Sequence, residues 1–197
     1  MNPRARLAIL IIISLALPIL PFVFIGELPG ERWLSSADDD ALLFGLLGAG
    51  LLAGDSLLPV PSSIVGTLLG ARLGFLPGWL WAWAGLTLGN LIGYLFGYLL
   101  LSRFGTPLPR VPGSLVVFAS RAVPVLAEAV SFTAGAEQLP LHRFLLAATA
   151  GNGIYTLVLA GNGAALLPQG LTGPGLVIPM LLPVVAWLLW RWLGNHG

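Results

Sequence analysis

The chain has 197 residues, 57% of them hydrophobic and only 9% charged, with a formal net charge of +1 and no cysteine. A soluble domain carries about a quarter charged residues, so this is the composition of an all-α integral membrane protein. The small net charge excludes a global field for nucleic acid, and zero cysteine excludes disulfides, thiolate metal sites and cysteine nucleophiles.

In chain order, an apolar run over 7–25 stands behind Arg4 and Arg6 and is long enough for one span. It is long for a signal-peptide core and no small-x-small cleavage site follows, so an anchor is expected. The stretch 27–40 is polar and acidic. Asp38, Asp39 and Asp40 suit the positive end of a helix starting at Ala41, with Ser35 or Ser36 as the expected cap. No metal site is expected there.

The segment Gly54-Asp55-Ser56-Leu57-Leu58-Pro59-Val60-Pro61-Ser62-Ser63 interrupts apolar sequence with a carboxylate, three hydroxyls and two prolines. Pro59 and Pro61 lack an N–H and bias their predecessors out of the α region. A helix from Ala41 should break here and a second start at Ser62 or Ser63, which are good N-caps. Arms this short suit a re-entrant hairpin over 41–74, and broken backbone at membrane depth needs protein or a wet cavity around it. A single kinked helix with a stray Asp is the plainer alternative.

A turn is expected over 72–78, then a span over 79–101 that opens on Trp79, Trp81 and Trp83 at the membrane edge. Its Gly85, Gly89, Gly93 and Gly97 recur every four residues, a stripe that lets another helix approach closely. After a polar break with Arg103 and Arg110, a short apolar piece meets Arg121 and Pro124 and runs on to Ala136. This has the shape of a second hairpin, over 111–136. Spans over 141–167 and 175–193 complete the chain.

The halves resemble each other. Pro59-Val60 precedes Gly70-Ala71 by the interval that separates Pro124-Val125 from Gly135-Ala136, and Gly89-Asn90 with Tyr94 parallels Gly151-Asn152 with Tyr155. With both termini cytoplasmic, Arg4, Arg6, Arg103, Arg110, Arg143 and Arg191 fall inside, against Arg32 and Arg72 outside, which obeys the positive-inside rule. The first hairpin then enters from outside and the second from inside. Such inverted repeats characterise many secondary transporters with a midplane site. Gly135 and Gly151 join the stripe as expected packing positions.

Three charges lie within apolar context: Asp55, Arg121 and Glu128. Each costs about 2.5–3.5 kcal/mol at a helix centre, so such residues are functional by default and should pair. An Asp55–Arg121 contact is expected where the tips meet, with Glu128 able to share Arg121. A carboxylate beside a guanidinium stays ionised and one desolvated alone takes up a proton, so switching between those states would carry protons. A static network that merely locks the hairpins is the alternative. Half-helices starting near Ser62 and Pro124 would direct positive ends at the midplane and, with Arg121, favour a phosphate or carboxylate guest. His142 and His196, the only histidines, stand too far from Ser56, Ser62 or Ser63 to activate them, and no catalytic residues are expected.

Taken together, Gly54 to Ser63, Gly89…Gly93-Tyr94…Gly97 and Arg121-Ala122-Val123-Pro124…Glu128…Ala134-Gly135 resemble the DedA family, the SNARE-associated Golgi-type or VTT-domain membrane proteins. The resemblance covers roughly 41–167. It implies opposed re-entrant hairpins and lipid translocation: polyprenyl-phosphate carrier recycling or phospholipid movement in bacteria, with proton coupling proposed, and scramblase activity in eukaryotic relatives. By motif, Asp55 matches the family's first-hairpin acid and Arg121 the first Arg of its Arg-x-x-Pro-x-x-Arg-like segment. Two departures stand out: Ser62 and Ser63 occupy the place of a second acid, and Glu128 lies near the missing second Arg.

The expected site is therefore Asp55, Arg121, Glu128, Ser62, Ser63, Pro59, Pro61 and Pro124, with no metal and no cofactor. Expected partners are membrane lipid, an anionic lipid head group and protons, with a second copy of the chain left open and no nucleic acid. The expected function is translocation of an anionic lipid across a bacterial plasma membrane. A structural or assembly protein and a small-solute proton antiporter remain as alternatives.

Overall fold

The computed structural model describes residues 40–58, 60–101 and 113–166. The expected spans over 7–25 and 175–193, the acidic stretch before residue 40, and Arg103 and Arg110 lie outside the described residues. Among the described residues every regular element is helical: α1 (Ala41–Gly54), α2 (Ser62–Leu73), α3 (Phe75–Phe96, continued by a π turn over Gly97–Leu101), α4 (Ser114–Ser120), α5 (Pro124–Ala136) and α6 (Leu141–Leu166).

Helix α1 starts where Asp40 caps it. The Asp40 Oδ1 accepts the N–H groups of Leu42 at 2.9 Å and Leu43 at 3.1 Å. The cap is thus an aspartate one residue before the helix, not Ser35 or Ser36. A carboxylate at that position satisfies two orphan donors and meets the positive helix end. Beyond Gly54 the chain turns through Asp55, with the Leu57 and Leu58 N–H groups both on the Gly54 carbonyl at 2.9 Å.

Helix α2 begins at Ser62, but its N-cap is Pro61 and no side chain caps it. The Pro61 carbonyl takes the Ile64 and Val65 N–H groups at 2.9 and 3.0 Å. Ser62 and Ser63 therefore sit in the first turn instead of capping it, which leaves their hydroxyls available elsewhere. The expected turn over 72–78 shrinks to one residue, Gly74, at φ 83°. Only glycine adopts that conformation without strain, so α3 starts at Phe75, four residues earlier than expected. Pro77 falls in its first turn, where no N–H partner is lost.

The early start changes what the tryptophans do. The Trp79 Nε1–H donates to the Gly153 carbonyl at 2.9 Å and the Trp83 Nε1–H to the Thr149 carbonyl at 2.8 Å. Both indoles tie α3 to α6, and they stack on each other with centroids 5.9 Å apart. Trp81 instead lies against Gly45 of α1.

Helices α3 and α6 pack together at the centre, with α1 and α5 on α3 and with α2 and α4 on α6. Glycines make these approaches possible. A Cβ at Gly85 or Gly89 would meet the Ala49 or Leu52 carbonyl of α1. One at Gly97 would run into the Phe132 carbonyl of α5, and one at Gly135 into the Tyr94 carbonyl of α3. At Gly151 it would meet Arg121 Cγ and the Phe118 carbonyl. Gly93 differs, because its nearest neighbours, on Ser131 and Ser56, stay at ordinary contact distance, 3.5 Å.

The apolar interior forms two clusters. One gathers Phe44, Leu52, Val65, Leu69, Ala82, Leu86 and Leu159; the other gathers Tyr94, Val117, Val130, Ala134, Phe144 and Ala148. Among the described residues one helix, Leu141–Ala165, is long and apolar enough to cross a membrane by length and composition, with a mean hydropathy of 1.5. The arms α1, α2, α4 and α5 have 14, 12, 7 and 13 residues, short of the roughly 20 that a span requires.

Candidate functional site

Two helix breaks, Asp55 to Pro61 between α1 and α2 and Arg121 to Val123 between α4 and α5, contribute to one cavity that α3 and α6 also line. Each is set by proline. Pro61 occupies the cap of α2 and Pro124 the first turn of α5, where its fixed φ and missing N–H are tolerated. Between the breaks lies a cavity of about 20 Å³ whose polar lining is Asp55, Ser56, Ser62, Asn90, Arg121, Glu128, Asn152 and Tyr155. Leu52, Leu86 and Ala127 complete its wall.

Asp55, Arg121 and Glu128 all line this one cavity, and all are buried, at 8%, 2% and 5% exposed. The Asp55 carboxylate interacts with the Ser62 hydroxyl and the Val60 N–H, both from the chain just after it. Ser62, released from capping, thus serves the acid that the same break exposes.

Arg121 does not take the expected partner. Its Nε–H donates to the Val117 carbonyl at 2.8 Å and to Ser120 Oγ at 3.2 Å. Nη1 donates to Ser131 Oγ at 3.0 Å, and Nη2 to Ser120 Oγ at 2.9 Å and the Ala127 carbonyl at 3.0 Å. Among the described residues it forms no ion pair with Asp55. The carboxylate whose charge bears on the guanidinium is that of Glu128, which also feels the charge of Asp55. The competition is local: Ser120 and the Val117 carbonyl precede Arg121 on α4, and Ala127 and Ser131 stand one turn apart on α5.

Across the cavity, Ser56 Oγ donates to the Gly89 carbonyl at 2.7 Å, which holds the first tip against α3. The Asn152 Nδ2 donates to Asn90 Oδ1 at 2.9 Å and to Thr87 Oγ1 at 3.3 Å. Two buried polar atoms on the lining, Glu128 Oε2 and Tyr155 Oη, have no hydrogen-bond partner among the described residues.

Of the expected site residues, Asp55, Ser62, Arg121 and Glu128 meet at the cavity. Ser63 is half-buried one position along α2, where its carbonyl accepts the Thr67 hydroxyl at 2.8 Å. Pro61 shapes the break without lining the cavity, Pro59 lies outside the described residues, and Pro124 contributes its backbone position at the start of α5. Asn90, Asn152 and Tyr155 marked the repeat in the sequence but were not expected in the site. Amides within long apolar helices were the available signal, since a polar group at membrane depth needs a partner.

The break, the buried charges and the crossing glycines lie within one contiguous stretch, and a family model described as the VTT domain matches residues 60–165. The chain belongs to the DedA family. This is the SNARE-associated family of membrane proteins, regarded as transporters and not as enzymes. The match takes in α2 to α6 and so contains Arg121, Glu128, Asn90 and Asn152, whereas Asp55 stands just before it. No curated protein and no solved structure matches the chain.

Proposed function

We propose that this DedA protein is a multi-pass plasma-membrane carrier that moves an anionic lipid, a polyprenyl phosphate or a phospholipid, with protons as the coupling ion. The observation that carries the reading is the meeting of Asp55, Arg121 and Glu128 in one cavity between two proline-set helix breaks. Uncompensated burial of ionisable groups at this depth is costly. Two carboxyls against one guanidinium leave the trio one negative charge in excess when all are ionised. Holding one proton would neutralise it, and losing that proton would favour a conformation in which the site meets water.

The architecture we infer is an inverted repeat, with 41–74 and 111–136 as re-entrant hairpins and 79–101 and 141–167 as their spans. Several contacts support it. Gly89 receives the first arm of its own hairpin and Gly151 likewise, through Arg121 and Phe118. Gly97 instead crosses the second arm of the other hairpin at Phe132, and Gly163 crosses its opposite at Thr67. Asn90 and Asn152, equivalent in the repeat, bond directly to each other. Both termini would then lie in the cytoplasm, with a homo-oligomer open.

Arg121 offers an anion its charge and, at most, part of its fork, because Nε and Nη2 are committed to Ser120, Val117 and Ala127. That observation favours a second reading, in which the network only fastens α4 to α5 and the protein is structural. A small-solute antiporter is the third. Reconstitution into liposomes with an imposed proton gradient separates them, with lipid mass spectrometry of the purified protein identifying the cargo. Asp55→Asn should abolish gradient-driven lipid movement and leave the protein folded, while Asp55→Glu should keep part of it. Gradient-independent movement with wild-type and Asp55→Asn alike would exclude proton coupling, and no lipid movement at all would favour the structural reading.

A further inference from the structure

Tyr155 stands on α6, two turns before its Gly163 crossing, with its ring in the apolar cluster of Leu52, Leu69 and Leu159. Its side chain is 5% exposed, yet its hydroxyl has no hydrogen-bond partner among the described residues, and the same holds for Glu128 Oε2. An unmet phenol in such a place is costly, so it should find a partner. Both orphan atoms belong to residues on one cavity wall, where Asp55 and Arg121 are the other charged groups and Asn90 and Asn152 the neutral ones. The Tyr155 hydroxyl also lies within electrostatic reach of Asp55.

The size of the cavity decides what can satisfy them. About 20 Å³ exceeds the 10–15 Å³ or so that one water requires and falls well short of a phosphate. A buried water typically makes about three hydrogen bonds. Two unpartnered groups, the Tyr155 O–H and Glu128 Oε2, belong to residues that line this cavity beside the Asp55 carboxylate, which takes the Ser62 hydroxyl and the Val60 N–H and keeps acceptor sites to spare.

We propose that Tyr155 positions a single ordered water in this cavity, and that this water is the link through which Glu128 and Asp55 exchange a proton. The proposal deepens the proton-coupled reading above and rests on it. Tyr155 donates its O–H to the water oxygen and stays protonated throughout. The protonated Glu128 Oε2–H bond breaks as the water oxygen takes its proton. The water's own O–H bond towards Asp55 breaks as an Asp55 oxygen takes that one. The products are Glu128 carboxylate, Asp55 carboxylic acid and the same number of water molecules, with no electron transfer. Direct transfer needs the two carboxyls in contact, whereas a bridging water lets hairpin tips from different repeats share a proton without touching. Tyr155 is thus a positioning residue, tied to neither tip.

The test is infrared difference spectroscopy between mildly acidic and mildly alkaline pH, on the full chain in lipid nanodiscs, in H2¹⁶O and in H2¹⁸O. Wild type should show a water O–H band that shifts with ¹⁸O and changes with pH. In Tyr155→Phe, which keeps the ring and its packing, that band should be lost while thermal unfolding stays within a few degrees. Asp55→Asn and Glu128→Gln should each displace it. Absence of an ¹⁸O-sensitive band in wild type overturns the proposal whether or not any variant folds. So does a band that survives in Tyr155→Phe or ignores Asp55→Asn. The measurement reads the resting protein, so a carrier that ignores proton gradients in liposomes but keeps the band would count against the coupling reading and not against the bound water.

Discussion

The Asn152 side chain donates to Asn90 Oδ1 at 2.9 Å, joining α6 to α3 by the two amides that the sequence parallel between the halves aligns. Both residues are buried and both line the cavity. Replacing one leaves the other's amide short of a partner in low dielectric, a loss of about 1–3 kcal/mol. Asn90→Leu and Asn152→Leu should each lower unfolding stability by that order, and the double variant by less than their sum. A double-mutant cycle in detergent measures the difference. Strict additivity would mean that the amides act independently.

The chain contains no cysteine, so crosslinks can be introduced on a clean background. A Cβ built at Gly93 lies 3.5 Å from Ser131 Cβ and 3.7 Å from Ser56 Cβ, near the separation a disulfide needs. Gly93→Cys paired with Ser131→Cys, and separately with Ser56→Cys, should oxidise readily. Together they would place the first tip and the middle of α5 against the middle of α3. Gly66→Cys with Leu159→Cys, at 3.4 Å, should join α2 to α6. Failure of both Gly93 pairs in a folded protein would rule out the approach of the first tip and of α5 to the middle of α3.

How much of this was legible in the residues depends on the range of the interaction. The break at Asp55–Pro61 was legible because proline acts on its own backbone and its predecessor. The burial of Asp55, Arg121 and Glu128 was legible because charge in apolar sequence must be enclosed. The partner of Arg121 was not. Opposite charge suggests Asp55, but Ser120 and the Val117 carbonyl on α4, with Ser131 and the Ala127 carbonyl on α5, take up its donors instead. The caps failed because the helices start elsewhere: α1 starts straight after Asp40, four residues beyond Ser36, and α2 already includes Ser62, which leaves Pro61 as its cap. Trp79 and Trp83 suggested a membrane edge, and only the one-residue turn at Gly74 turns their N–H groups onto α6.

The glycine stripe divides in two when each position is tested for space. At Gly97 and Gly135 an added Cβ meets backbone of the crossing helix, which cannot move aside cheaply. Gly97→Ala and Gly135→Ala should therefore destabilise by about 1–3 kcal/mol or more, read as a lower unfolding temperature. Gly93→Ala, with nothing nearer than 3.5 Å, should fold nearly normally. Equal losses at all three positions would show that the crossing of α3 and α5 is wrong.

Arg121→Lys separates an anion-binding role from a fastening one. The sequence alone suggests a loss of substrate binding greater than any loss of folding. The hydrogen bonds change that expectation, because an ammonium cannot reach Val117, Ser120, Ala127 and Ser131 together. Losing bonds to a charged donor costs about 1.5–3 kcal/mol each, so Arg121→Lys should lower stability clearly even without substrate. Wild-type stability with impaired lipid binding would instead show that Arg121 leaves this network when the protein works.

The inverted arrangement makes a prediction about sides. If the first hairpin enters from outside and the second from inside, the α2–α3 junction and the α5–α6 junction lie on opposite faces of the membrane. Leu76 and Gln138 are exposed at those junctions, and single cysteines there should react with a membrane-impermeant maleimide. Leu76→Cys should label in intact cells and Gln138→Cys only after permeabilisation. The reasoning rests on charge: Arg143 follows the second junction, inside, and Arg72 is the lone arginine near the first. Labelling of both from one side would make the repeats parallel. In that case Asp55 and Arg121 would approach the cavity from the same face, and a proton held there could not be released alternately to the two sides.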